Sequence, residues 1–233
     1  SPVLQAINLD IGAGQVVGLF GAIGSGKSTL VNLINGYLPA PPNSVFLDGV
    51  DVLELGQSAL RGHVVTVAQE PFLFSETIRS NIALAIEDGD DPRIEVAARA
   101  AALDSDLQRM PDGLQTVVGE KGVTLSGGQK QRVALARALV EPRELVLLDD
   151  VLSAVDHDME RTLVEEIYGF VSGGSALLVS HRISALERAD KIYVLIDGRI
   201  VDEGTHAQLI ARAGPYRSAW AMQQSTPASG EDA

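Results

Sequence analysis

The chain contains no cysteine, which excludes a disulfide framework and thiolate chemistry and fits a reducing compartment. Positive charge is scarce: 18 lysines and arginines stand against 31 aspartates and glutamates, a formal net charge of −13. Phosphate backbones want a basic face, so the balance argues against nucleic acid as a partner. A local phosphate site survives this argument, because backbone N–H groups and one lysine can build it. No apolar run approaches the roughly 20 residues that cross a bilayer. There is no signal peptide, repeat, low-complexity tract or heptad pattern. The chain opens at Ser1 rather than methionine and reads as an excised fragment. What is present is ordinary for a globular chain: 233 residues, 45% hydrophobic and 21% charged, enough for one sizeable domain with an ample core.

Patterning along the chain alternates strand and helix. Residues 3–11 alternate apolar and polar positions and predict a half-buried strand. Residues 13–21 predict a buried strand, followed by a helix over 27–36 that stops at Gly36. Short strands are predicted at 45–49 and 63–70. Residues 76–110 turn rich in alanine and charge, with a helix over 91–103 that Asp91 caps and Pro92 begins. A second strong helix is expected over 126–142, ended by Pro142. Strands return at 145–149, 175–180 and 191–198, with helices between them at 158–169 and 183–188 and short helices at 206–213 and 215–222. This order predicts an α/β fold with a mostly parallel sheet flanked by helices and an inserted α-helical subdomain over about 76–140. The domain is expected to occupy 1–224, with 225–233 a polar, disordered tail.

Three motifs carry chemistry. GAIGSGKS, from Gly21 to Ser28, fits G-x-x-x-x-G-K-[ST] after a strand and at the opening of a helix. Gly21, Gly24 and Gly26 let the backbone, including Ala22, Ile23 and Ser25, wrap a phosphate with its amides. Lys27 would neutralise the β- and γ-phosphates, Ser28 would reach Mg²⁺, and Thr29 could support a phosphate contact. LVLLDD ends an apolar strand at Asp149, placed to hold Mg²⁺, with Asp150 beside it. LSGGQ opens a helix, where Ser126, Gly127 and Gly128 offer a hydroxyl and bare amides at a positive helix end. Two phosphate devices in one chain require either one nucleotide between them or two chains sharing nucleotides.

In this order the motifs resemble those of ATP-binding-cassette (ABC) nucleotide-binding domains, over nearly the whole chain from Pro2 to about Met222. The resemblance implies a P-loop NTPase fold with an N-terminal antiparallel β portion, and ATP and Mg²⁺ as ligands. Gly21–Ser28 corresponds to the Walker A loop, Gln69 to the Q-loop glutamine, and Leu125–Gln129 to the signature. Asp149 corresponds to the Walker B aspartate, Asp156 in SAVD to the D-loop, and His181 to the switch histidine. It further implies head-to-tail pairing, each ATP lying between the Walker A loop of one domain and the signature, Ser126–Gln129, of another. Gln69 would touch Mg²⁺ and water and signal to membrane domains. His181 would contact the γ-phosphate and attacking water, and Asp156 would sit at the dimer interface. TVVGEKG, with Glu120, is similar to the X-loop of exporter-type domains and is expected to meet their coupling helices. Such a domain works at the cytoplasmic face of the inner membrane, with transmembrane domains of the same full-length chain.

Two departures matter. The aromatic residue on which the family stacks adenine lies upstream of Val3–Leu4 and is absent, so nucleotide binding is expected to rest mainly on phosphates. The family usually has glutamate after the Walker B aspartate as general base, whereas this chain has Asp150, shorter by one methylene. Misplacing a catalytic group by about 1 Å can lower a rate on the order of 10²-fold. Asp150 with an intact signature is similar to the degenerate half of heterodimeric exporters, and a heterodimer is favoured over a slow homodimer. Two alternatives stand beside an export-driving ATPase: a nucleotide-gated module that barely hydrolyses, and a DNA-repair-type ATPase. The second is disfavoured by the acidic chain and the modest, heptad-free stretch between Glu70 and Thr124.

Overall fold

The computed structural model describes residues 3–86, 91–119, 123–141, 143–152, 157–170 and 174–225. Six strands, β1 (Val16–Phe20), β4 (Val64–Val67), β5 (Leu145–Asp149), β6 (Ser175–Ser180), β7 (Lys191–Ile196) and β8 (Arg199–Gly204), form one sheet in the order β4-β5-β6-β1-β7-β8. All neighbours run parallel except β7 and β8. Strands β2 (Phe46–Leu47) and β3 (Val50–Asp51) make a separate antiparallel pair.

The central strands are apolar at every position because both faces are covered. Along β1, Val16 and Phe20 point to one core and Val17 and Leu19 to the other. Strand β5 divides the same way, with Val146 and Leu148 opposite Leu145 and Leu147. Each fully buried side chain of this size contributes about 1.5–3 kcal/mol. Over the larger core lie α3 (Ile78–Ala83), α4 (Arg93–Ala100), α6 (Gly127–Leu139) and α7 (His157–Phe170), with α8 (His206–Ala211) and α9 (Pro215–Ser225). Over the smaller lie α1 (Lys27–Ile34) and α2 (Val52–His63). Helix α5 (Asp104–Arg109) joins α4 to the segment before α6.

Several sequence expectations change. Residues 3–11 form no strand; Ile7, Leu9 and Ile11 pack on the smaller core in the expected alternation, but among the described residues Gln5 is the one there whose N–H meets a backbone carbonyl, that of Gly198 at 2.8 Å. The N-terminal antiparallel portion is the β2–β3 pair. Residues 183–188 form turns rather than a helix, closed by Leu186 N–H to Ile183 O and Ala189 N–H to Leu186 O. Ten residues connect the end of β6 to the start of β7. The i→i+3 contacts there close turns without the i→i−4 ladder that a helix propagates. Strand β8 joins β7 through Asp197 and Gly198, both at positive φ (47° and 75°), the geometry of a tight hairpin turn. The expected tail beyond Ser225 lies outside the described residues.

Candidate functional site

The parallel strands converge on one edge of the sheet. The loop after β1 holds Gly21–Ser28, Asp149 ends β5, His181 follows β6 and Gln69 follows β4. Because β4, β5, β6 and β1 are successive neighbours, residues separated by more than a hundred positions form one row. This is the carboxyl edge at which open α/β sheets bind ligands.

The loop is tightly folded. A Cβ at Gly21 would lie 2.6 Å from Leu195 O and 2.6 Å from Ser25 Oγ, so only glycine fits. Gly26 has φ 106° and caps α1 without a side-chain hydrogen bond, leaving the first-turn amides uncapped by a side chain. The Lys27 ammonium donates to Gly21 O at 2.8 Å and Ala22 O at 2.9 Å. Burial lowers its pKa, while Asp150 and Asp149 work against that shift. Ser25 is buried with no partner for its hydroxyl, Ser28 and Ile23 are exposed, and Thr29 is half-buried.

Asp149 is buried, and its Oδ1 has no hydrogen-bond partner. Burial raises its pKa; hydrogen bonding to the Ser28 side chain pulls it down, Asp150 pushes it up and Lys27 lowers it. A buried carboxylate oxygen without a donor, beside a serine hydroxyl, suits a cation. Mg²⁺ is commonly held by one or two carboxylates together with substrate phosphates, and among the described residues no cluster of three or more acidic or histidine side chains forms a protein-only cage.

Asp150 turns away from the strand at φ 50°, with its N–H on Val179 O at 2.9 Å. Its two carboxylate oxygens lie 2.9 and 3.1 Å from His181 Nδ1. His181 is itself half-exposed. The structure therefore brings Asp149, Asp150 and His181 together beside the loop Gly21–Ser28. Gln69 has an exposed side chain, and its carbonyl accepts from Gln131 Nε2 at 2.9 Å.

At Leu125–Gln129, Ser126 caps α6 through a reciprocal box. Its Oγ accepts from Gln129 N at 3.2 Å, and Gln129 Oε1 accepts from Ser126 N at 2.9 Å. This leaves the first-turn N–H groups of Gly127 and Gly128 without a cap. Gln129 Nε2 donates to Asp106 at 3.0 Å, so its amide is engaged within the chain. No hydrogen bond joins Ser126–Gln129 to Gly21–Ser28 among the described residues. Asp156 and Glu120 lie outside the described residues.

Residues behind the site escaped the sequence reading. Asp106 and Arg132, both buried, form an ion pair with Arg132 Nε 3.0 Å from Asp106 Oδ2. Gln129 and Arg132 stand three apart on one helix face, which was a usable signal; their partner Asp106 was not. Arg137 donates to Asn81 O at 2.7 Å and Phe72 O at 3.1 Å, tying α6 to the stretch after Gln69.

The chain is similar to known proteins in family and in fold. A family model described as ABC transporter matches residues 4–153. The ATP-dependent lipid A-core flippase of Thiobacillus denitrificans is 41% identical over 96% of this chain, which spans 39% of that relative. The ABC multidrug transporter MDR2 of Trichophyton rubrum is 39% identical over 95% of the chain, which spans 17% of it. A solved structure of a bacterial Atm1-family ABC exporter with ATP bound superposes with a TM-score of 0.90 at 34% identity, over 96% of this chain and 40% of the other.

Proposed function

Because the chain belongs to the ABC transporter family and carries the nucleotide-binding fold of its exporters, we propose that it binds ATP with Mg²⁺, pairs head-to-tail with a second such domain, and hydrolyses ATP to power export. The observation that carries this reading is the row at the carboxyl edge of the sheet, where the phosphate loop, Asp149 and the Asp150–His181 pair meet. The amides of Ala22–Ser28 and the Lys27 ammonium would hold the β- and γ-phosphates. Asp149 and Ser28, assisted by Gln69, would hold Mg²⁺, which supplies neutralisation of phosphate charge. The Asp150 contact occupies Nδ1 of His181 and leaves Nε2 for a γ-phosphate oxygen or attacking water. Ser126, Gly127, Gly128 and Gln129 would serve the nucleotide of the facing domain, and Asp156 would lie between the two.

The remainder of the transporter is supported by length. The chain spans well under half of the relatives above, and no described helix is long and apolar enough to cross a membrane. Transmembrane domains of the same full-length protein would therefore anchor it at the cytoplasmic face of the membrane. A groove of about 560 Å³ lined by Tyr37, Arg61, Arg137 and Arg143, with Phe72 and Phe74 exposed nearby in the chain, suits their docking.

A second reading rests on the Asp150–His181 contact. A carboxylate already committed to the histidine is poorly free to act as base, which favours a slow half-site completed by a partner that carries glutamate. Phosphate release by the purified chain at high concentration tests the proposal. Release that depends on both ATP and Mg²⁺ and disappears in Lys27→Ala is expected. Release unchanged in Lys27→Ala would overturn it.

A further inference from the structure

The segment that carries His181 is gripped from the far end of the chain. Gln223, near the end of α9, donates from Nε2 to His181 O at 2.8 Å and accepts at Oε1 from Ile183 N at 2.9 Å. One carboxamide thus spans Arg182, and only one orientation of the amide satisfies both contacts. The intervening Arg182 is held separately, its N–H on Ser180 Oγ at 3.0 Å and its guanidinium on buried Glu160 of α7 at 2.5 Å. Ser184 also donates to Glu160.

Gln223 is placed rather than incidental. Seven residues before it, two helical turns on the same face, Tyr216 is fully buried with its ring 5.2 Å from Phe20, the residue before the phosphate loop. His206 Nδ1 lies 3.0 Å from the Tyr216 hydroxyl. Helix α9 is thereby anchored beneath the loop, and its last turn reaches the histidine segment. Gln223 remains solvent-exposed, so burial does not explain a glutamine here; the paired contacts do.

We infer that Gln223 is a positioning residue for His181: its carboxamide sets the backbone on both sides of Arg182 and with it the placement of the imidazole against Asp150. This rests on the proposed role of His181 in hydrolysis, and the experiment separates the two. Gln223→Leu keeps helix propensity and approximate size but removes both hydrogen bonds. Gln223→Glu keeps the acceptor for Ile183 N–H and sets a carboxylate oxygen against the His181 carbonyl. Both variants are expected to unfold within about 5 °C of the parent, since the residue is exposed. In each, kcat for ATP hydrolysis should fall by about 10-fold or more, as for a displaced catalytic group, while KM and calorimetric ATP affinity change by less than about 2-fold. The second arm needs no turnover: the His181 ring Cε1–H resonance, identified by its loss in His181→Gln, should shift in both variants with the other histidines unmoved. A parent chain without ATPase activity would remove the hydrolysis reading while the resonance arm still decides the positioning role. An unmoved His181 resonance, or parental kcat in Gln223→Leu, would overturn the inference.

Discussion

The Asp150 carboxylate meets His181 Nδ1 with both oxygens, at 2.9 and 3.1 Å. Asp149, one position earlier, lies beside Ser28 with an oxygen that has no partner. Adjacent carboxylates therefore have opposite surroundings: one is free for a cation and one is committed to an imidazole. The backbone makes the division, since β5 ends at Asp149 and Asp150 turns at φ 50°.

Lengthening the second carboxylate tests that division. Asp150→Glu should carry the carboxylate beyond the imidazole toward the attacking water and raise hydrolysis at this site by roughly 10-fold, the scale attached to misplacing a catalytic group. The left-handed backbone is somewhat less favourable for glutamate, so the circular dichroism melt is checked alongside. Steady-state ATPase in a dimer whose partner site is silenced gives the answer; a flat or lower rate shows that reach is not the defect.

Asp149 makes a pH prediction of definite sign. Its folded pKa lies above the ordinary aspartate value of 3.8, with burial as the leading cause. A raised aspartate pKa means the folded state binds the proton more readily, so this group stabilises the fold below 3.8. That contribution is lost as pH rises through the folded pKa, the reverse of a salt-bridged aspartate. Without metal at neutral pH, Asp149→Asn should therefore unfold at a higher temperature than the parent. The same variant should lose most of the Mg²⁺-dependent gain in ATP affinity, and scanning calorimetry with and without MgATP reads both.

Removing the Asp106 side chain should destabilise the protein by about 3–5 kcal/mol, because it strands Arg132 as an unpaired buried charge. Both side chains are under 10% exposed. Asp106→Ala also frees the Gln129 amide, so the capping box of α6 should loosen. Urea titration at constant m-value checks the first effect; a loss below about 1 kcal/mol would mean that water reaches the pair.

Head-to-tail assembly predicts complementation. Lys27→Ala spoils the phosphate loop and Ser126→Arg the facing signature, so either chain alone should be inactive. Mixed, the loop of one faces the signature of the other, and one intact site returns. Phosphate release from the mixture, absent in both parents, is the expected result.

Legibility followed range. Strands β1, β5 and β6 were readable because burial on both faces makes them continuous apolar runs. Gly21–Ser28, Asp149 and Leu125–Gln129 were readable because each closes a strand or opens a helix locally, whereas Gln69 and His181 came only with the family resemblance. Residues 3–11 show the right alternation, but a ladder depends on a non-local partner, and alternation alone supplies none. Turns at 183–188 imitate a helix through the spacing of Ile183, Leu186 and Ala189, a spacing that turns closed by i→i+3 hydrogen bonds share. Helix α2 was hidden by the kink at Gly56 (φ 72°). The Asp-Gly pairs at 48–49 and 197–198 announce hairpins and were an available signal. Asp106 and Gln223 had none, because their partners lie 23–26 and 40–42 residues away.

The most direct measurement is a calorimetric titration of ATP with Mg²⁺ into the parent chain and Lys27→Ala side by side. The parent is expected to bind one nucleotide per chain, with affinity that falls when Mg²⁺ is chelated. Lys27→Ala should keep its fold by circular dichroism and lose binding by about 10- to 10²-fold, the weight of a charge-assisted contact to phosphate. Equal affinity in the two proteins would contradict the assignment of Gly21–Ser28 as the nucleotide's phosphate site.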